Sequence, residues 1–270
     1  MLKINKLKID KEKIMKKLLN IFIIMFLSCV TVFAKSGIEI GIFVPLGLSI
    51  GINQYSLTNK NPTPQQEKDF ESAVKQADRR SGAGFDAGVL FHIGYRFDIN
   101  RDFSFSLLGE LGYNHDEFSF YRVSGDKNYK NSYVYMFESM SFGIYPKLNW
   151  KKFSFGLNFG IKVPLYARAM SSYINYAAKN ISRNIENYNA FQIKDIFNVP
   201  IIPYLRFSVD YEVYSDKKFG LVLGGYIGGD FGMSFKNTIL NNQSIAKITK
   251  QSISSFDIGF QIGVRILPNN

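Results

Sequence analysis

The chain has 270 residues, a formal net charge of +11 and a mean hydropathy of −0.06. Its 25 Phe, 16 Tyr and 22 Gly suit strands and argue against a helical bundle. The basic residues form no compact Lys/Arg block, so nucleic acid is not an expected partner.

Residues 1–34 are expected to be an N-terminal extension followed by a cleavable signal peptide. Lys16 and Lys17 supply a charged start, residues 18–27 a short apolar run, and Val32-Phe33-Ala34 a small-residue cleavage site. The run falls short of the ~20 apolar residues that a membrane-crossing helix needs. Met15 is the expected true start and Lys35 the first mature residue. Cys29, the sole cysteine, lies inside this segment, so residues 35–270 hold no disulfide. Lipidation at Leu27-Ser28-Cys29 is the competing reading.

Eight strands follow, each alternating apolar residues with glycine, serine or charge, which puts the two sets on opposite faces. The first covers 38–52, with Ile38, Ile40, Ile42, Val44, Leu46 and Leu48 on one face. The second, 83–99, sets Phe85, Val89, Phe91 and Ile93 against Asp86, Gly88, His92 and Gly94. The third (103–115), fourth (133–150) and fifth (153–167) continue the pattern, for example through Leu107 and Leu111, Phe142 and Leu148, Leu157 and Phe159. The sixth and seventh cover 201–213 and 219–233. The eighth, 256–266, alternates without a break: Phe256, Ile258, Phe260, Ile262, Val264 and Ile266 against Asp257, Gly259, Gln261, Gly263 and Arg265. Alternation of this kind averages the hydropathy to near zero even when one face is fully apolar.

The connections alternate between short (100–102, 151–152, 215–218) and long (53–82, 116–132, 168–200, 236–251). In the first long connection Thr63-Pro64, with Gln66 following, reads as a capped helix start. Residues 171–188 are expected to hold a second short helix.

Which face points outward is decided by glycine. The polar face carries Gly41, Gly47, Gly88, Gly94, Gly143, Gly160, Gly224 and Gly228 among others. Glycine weakens a strand and is a poor choice for a water-facing surface, but suits a cramped interior. A soluble barrel with its apolar face inside is the inverse reading. Tyr95, Phe97, Phe103, Phe105, Trp150, Phe153, Phe155, Tyr211 and Phe219 flank the short turns on the apolar face, as in an aromatic girdle. Glu138 falls on the apolar parity and is expected above the membrane band. Pro45, Pro146, Pro164 and Pro203 interrupt strands and call for bulges or ladder ends.

The expected fold is therefore all-β, an eight-stranded antiparallel up-and-down transmembrane β-barrel in one domain, 35–270. On these strands the chain resembles the small eight-stranded bacterial outer-membrane barrels, the class of the OmpA transmembrane domain and OmpX. The resemblance covers residues 35–267 and rests on pattern. It implies residence in the outer membrane of a Gram-negative-type bacterium, with outer-membrane lipid and the barrel-assembly machinery as partners. Such barrels usually end in an aromatic residue, whereas this chain ends Pro268-Asn269-Asn270.

The inward parity supplies the candidate functional residues. Asp86, Arg96, Glu110, Lys162, Arg206, Asp210, Asp230, Asp257 and Arg265 are expected to form an ion-pair network, joined on the same parity by Glu39, Asp98, Glu212, Lys147 and Arg168. Isolated charges in a narrow interior are costly, so they should pair. His92 is inward and read as a hydrogen-bonded interior histidine; His115 is read as a loop residue without a serine partner. No catalytic, cofactor-binding or metal set is expected. The reading is a non-enzymatic barrel with a closed lumen, in a structural or surface-interaction role through an extracellular ligand of the long loops. Tyr121, Tyr129, Tyr173, Tyr176 and Tyr188 are candidate contacts there. The alternatives are a narrow channel for small solutes and, behind it, a lipid-modifying barrel enzyme.

Overall fold

The computed structural model describes residues 36–123, 129–216, 219–240 and 242–267. The expected signal segment, with Met15, Cys29 and the cleavage site, and the final Pro268-Asn269-Asn270 lie outside the described residues. The elements are β1 (Ser36–Leu57), α1 (Pro64–Ala77), β2 (Arg80–Ser81), β3 (Ala83–Asp98), β4 (Phe103–Val123), β5 (Tyr129–Trp150), β6 (Phe153–Asn175), β7 (Asn180–Asn189), α2 (Ala190–Ile196), β8 (Ile202–Ser215), β9 (Phe219–Ser234), α3 (Gln243–Ala246) and β10 (Thr249–Ile266).

Eight of these strands close an antiparallel ring in the order β1-β3-β4-β5-β6-β8-β9-β10, with β10 returning to β1 over the register Ile40↔Ile266 to Leu57↔Thr249. Closure leaves the ring itself no open edge. Two further strands sit outside it: β2 pairs with β4, and β7 pairs with β6. The helix expected over 171–188 is corrected. Residues there complete β6 and form β7, a hairpin paired from Tyr166↔Asn189 to Asn175↔Asn180. The helix begins one residue beyond, where Asn189 caps α2 by accepting from the backbone N–H groups of Phe191 and Gln192. The capped helix at Thr63 is present as α1, with a reciprocal Thr63–Gln66 capping box.

The ring is apolar outside and polar inside. Leu157 is 42% exposed while its neighbour Asn158 is 3% exposed, and the same contrast runs through every ring strand. The inverted soluble barrel is thereby excluded. Outward apolar runs cover 103–113 on β4, 140–150 on β5 and 256–266 on β10. These match the roughly 9–11 residues a tilted strand needs to cross a bilayer. At the short-turn end aromatic contacts form a belt: Phe97–Phe105 at 6.5 Å, Phe103–Trp150 at 6.2 Å, Trp150–Phe153 at 6.4 Å and Phe153–Tyr211 at 5.0 Å.

The four prolines sit where the ladder is broken. The β1–β3 pairing skips Pro45, the β5–β6 pairing skips Pro146, and Pro164 adjoins a bulge between Glu138 and Ser139. Pro203 pairs near the end of the β6–β8 ladder, before β9 begins to pair. Proline donates no ladder hydrogen bond, so these gaps are the tolerated places.

The strands run further than their outward apolar faces. β4 continues past His115 to Val123 and β5 starts at Tyr129, so His115 is a strand residue, not a loop residue. Above His115 the polarity inverts. Phe118 and Phe120 now point inward and are buried, while Glu117 and Ser119 face out. Phe137, Ala167, Ile202, Met233 and Ile253 join them, together with Ile193 of α2 and Phe197 just after it. The result is an apolar plug above a polar interior. Beside it α1 packs on α3 through Ala73, Ile245 and Leu240.

Candidate functional site

The ring interior is arranged in tiers that follow from strand register. At the short-turn end Lys147 (β5) is ion-paired with Glu39 (β1), whose other oxygen accepts from Ser106 (β4) at 2.5 Å. Arg265 (β10) pairs with Glu212 (β8). Arg96 pairs with Asp98 two residues along β3, at 2.8 Å and partly exposed at the rim. Asn149 donates to Ser104 and Ser106 and accepts from Ser154, closing this tier.

Glu110 organises the middle tier. It lies 2.8 Å from His92 Nε2, accepts from Tyr204 Oη at 2.6 Å, and is hydrogen-bonded by Asn158. The His92 ring packs 4.7 Å from Tyr145 and 5.2 Å from Phe43. Asp210 has no ion pair among the described residues. Gln261 donates to it at 2.7 Å and Tyr145 Oη at 3.3 Å.

The upper polar tier centres on Lys162. Its ammonium reaches Asp116 at 2.6 Å and Asp230 at 2.7 Å, with all three side chains buried. Asp86 stands opposite Asp116 in the β3–β4 register and accepts from Tyr226 Oη at 2.9 Å. Arg206 stacks over the Tyr226 ring, 4.6 Å from its centroid, and makes no ion pair within 4.0 Å among the described residues. Asp257 likewise has none and is 5% exposed. Atoms without a hydrogen-bond partner gather at this level: Asp86 Oδ1, Asp116 Oδ2, Asn114 Nδ2 and Arg206 Nη1.

The inward parity therefore brings all nine expected residues to the interior, but pairs them unevenly. Lys162 meets Asp230, while Glu110, Arg96 and Arg265 take His92, Asp98 and Glu212 as partners. Asp86, Arg206, Asp210 and Asp257 are held by hydrogen bonds, stacking or burial. Sequence reasoning misses Asp116, because 116–132 reads as a connection; the inward series Glu110, Gly112, Asn114, Asp116 continues the parity and is the signal that finds it. It also misses three inward tyrosines. Tyr145 fits beside Gly156, Tyr204 beside Gly143 and Tyr226 beside Gly259, where a side chain at the glycine would collide with the ring. Arg168, expected inward, points outward after the Pro164 bulge shifts the parity of β6.

Chemically the interior is a packed set of donors and acceptors. Among the described residues no group of His, Cys, Asp and Glu has the arrangement of a metal site. His115 Nδ1 lies 2.6 Å from Glu138 and its Nε2 3.6 Å from Glu117, so both nitrogens face carboxylates and neither faces a serine.

No family model and no curated protein matches the chain. Several solved outer-membrane structures are similar to it at low scores. Ail, the attachment invasion locus protein of Yersinia pestis, solved in complex with the heparin analogue sucrose octasulfate, matches at 9% identity and TM-score 0.26, over 83% of this chain and 99% of its own. The outer-membrane protease OmpT from Escherichia coli matches at 10% identity and TM-score 0.36, over 85% and 96%. Neisserial surface protein A matches at 11% identity and TM-score 0.35, over 84% and 96%. At these scores the likeness carries no functional weight, and the class of the fold rests on the closed ring itself: a nearly all-β antiparallel ring of eight strands, apolar outside.

Proposed function

We propose that this chain is a non-enzymatic outer-membrane β-barrel protein with a closed, ion-paired interior. Its outward-extended strands and long connections serve a structural or surface-interaction role. One observation carries the reading: apolar side chains form a band around the outside of the ring while Glu39, Asp86, Lys147, Lys162 and Asp230 are buried within it. In water that arrangement would expose a continuous apolar belt far beyond what soluble proteins tolerate. Lipid is the solvent it fits, and among β-structures only a closed ring satisfies its backbone there. The short turns and both ends of the ring's chain lie on one side, which this reading makes the periplasmic side. The barrel-assembly machinery and outer-membrane lipid are its implied partners.

The closed interior is supported by the tiers of ion pairs and by the plug of Phe118, Phe137, Phe197 and Ile253 above them. Planar-bilayer recording tests it, and purified protein should give no steady conductance at moderate voltage. One observation favours a second reading, a narrow path for small ions: the unpartnered polar atoms of Asp86, Asp116 and Arg206 cluster at one level, where water would satisfy them. Reproducible single-channel openings would replace the closed reading with that one. The enzyme reading has less support, since the rim histidine His115 is held by two carboxylates.

A further inference from the structure

Above the apolar band a pocket of about 160 Å³ opens between β5, β6, β7, α2 and the residues after β9. A cavity on the order of 150 Å³ is enough for one benzene-sized group. Its shape has a local cause. Ala167 and Ala169, both on the inner parity of β6 after the Pro164 bulge, leave a gap on the sheet. Five aromatic rings stand around that gap: Tyr135 and Phe137 from β5, Tyr188 from β7, and Phe197 and Phe235. The wall is continuous, with Phe137–Phe197 at 5.9 Å, Phe197–Phe235 at 4.7 Å and Tyr135–Phe235 at 5.4 Å between centroids.

Glu186, which is exposed to solvent, completes the lining together with Ile196 and Arg168. It sits across from Ala169 in the β6–β7 register. Its oxygens accept from Asn184 Nδ2 at 3.2 Å and from Tyr188 Oη, and no Lys or Arg is paired with it among the described residues. Two basic side chains stand nearby and both are engaged elsewhere: Arg168 donates from Nε to Asn187 Oδ1 at 3.1 Å, and Arg79 donates to Tyr135 Oη at 3.2 Å. Burial and the Glu186 carboxylate hold the Tyr188 hydroxyl up at about 12, so it remains a donor. Aromatic rings beside a carboxylate that makes no ion pair attract a cation that sheds water easily, through the ring quadrupole and the charge together. The neighbouring rings already do this within the chain: Arg79 lies 4.2 Å from the centroid of Tyr133.

We propose that this pocket binds a small organic cation, an alkylammonium group of the size borne by choline. The methyl groups sit among Tyr135, Phe197 and Phe235, and Glu186 faces the charge. This names a ligand class for the surface-interaction reading above, on which its outward exposure rests; the binding itself does not depend on orientation in a membrane.

The test is calorimetric titration of the full chain in a maltoside detergent, since phosphocholine detergents carry the ligand. Choline and tetramethylammonium should bind, and neutral 3,3-dimethylbutanol, which keeps the shape without the charge, should bind at least roughly tenfold more weakly. Glu186→Gln, at an exposed position, should keep the fold and weaken choline by about tenfold. Equal binding of the neutral analogue, unchanged affinity in Glu186→Gln, or no binding of either cation at millimolar concentration would each overturn the proposal. Phosphocholine binding tighter than choline identifies a lipid or glycan headgroup as the source; equal or weaker binding identifies the free amine. If the purified protein binds choline but intact cells displaying it do not, the pocket stands and the outward orientation falls.

Discussion

The lower and upper halves of the same strands solve opposite problems. Between Phe103 and Tyr113 on β4 the outward residues are mainly apolar, and the inward ones are Ser104, Ser106, Glu110 and Gly112 with Leu108 as the apolar exception. Between His115 and Val123 the faces trade roles, with Phe118 and Phe120 inside. The backbone geometry is unchanged, and the pairing with β5 runs unbroken from Phe103↔Trp150 to Val123↔Lys130. What changes is the solvent. A strand in lipid sends its polar groups inward, where each must find a partner. Once the strand reaches water, burying apolar groups is again favourable, and the core becomes an ordinary one. The His115–Glu138 pair marks the crossover, two directly opposed residues on the outward face.

The largest expected effect breaks the lower half. Lys162 pairs with both Asp116 and Asp230, so Lys162→Met leaves two buried carboxylates without it. Removing one partner of a buried pair costs about 3–5 kcal/mol. Unfolding in urea from lipid vesicles should show a loss of that order, and Asp116→Asn with Asp230→Asn in the same chain should restore most of it. Arg206→Ala should cost less, because Arg206 is stacked on Tyr226 and makes no ion pair within 4.0 Å among the described residues. A Lys162→Met protein as stable as the parent would mean that the tier is hydrated and the carboxylates share protons or water.

A smaller effect compares the two outer faces. Leu111 and Ile185 are almost equally exposed, at 43% and 50%. Leu111 lies within the apolar band, whereas Ile185 lies on β7, outside the ring. Arginine on the lipid face costs roughly 2–4 kcal/mol at mid-bilayer, while surface substitutions in water usually stay within about 0.5 kcal/mol. Leu111→Arg should therefore impair folding into vesicles, and Ile185→Arg should leave it unchanged. Equal effects would erase the boundary between the halves.

Much of the lower half was legible in the sequence, and little of the upper half. Period two with glycine on one side fixed the ring strands, their faces and the short turns. It worked because lipid forces one rule along a whole face. The same rule stopped the third strand at His115, since tracking an apolar outer face ends where the polarity inverts. β7 reads Asn-Ile-Ser-Arg-Asn-Ile-Glu-Asn-Tyr-Asn, which has no apolar face to track. Its strand character comes from pairing with β6, so a helix was expected instead. Inward parity told which charges are inside but not at what height, because strand tilt sets the tier. That is why Lys162 and Arg206 looked equivalent, and why the tyrosines that seat against glycines were not foreseen.

The smallest effect concerns the boundary itself. His115 stands above the outward band of β4, beside Glu117 and Glu138, and its carboxylate neighbours, Glu117 foremost, raise its pKa from 6.5 to about 9 against the opposing effect of partial burial. The folded value lies above the unfolded one, so the charged imidazole stabilises the fold fully below about pH 6.5. That contribution fades as pH rises through about 9. The site is partly exposed, so the change in melting temperature should be small and should vanish in Glu117→Gln with Glu138→Gln. Imidazole NMR of labelled protein should give a midpoint near 9 for the resonance lost in His115→Gln. A water-soluble relaxation agent should broaden that resonance and spare His92, which is buried against Glu110. A midpoint at or below 6.5, or protection of both histidines, would place His115 inside the lipid band. The crossover between the two halves would then lie higher on the strands, above Glu117.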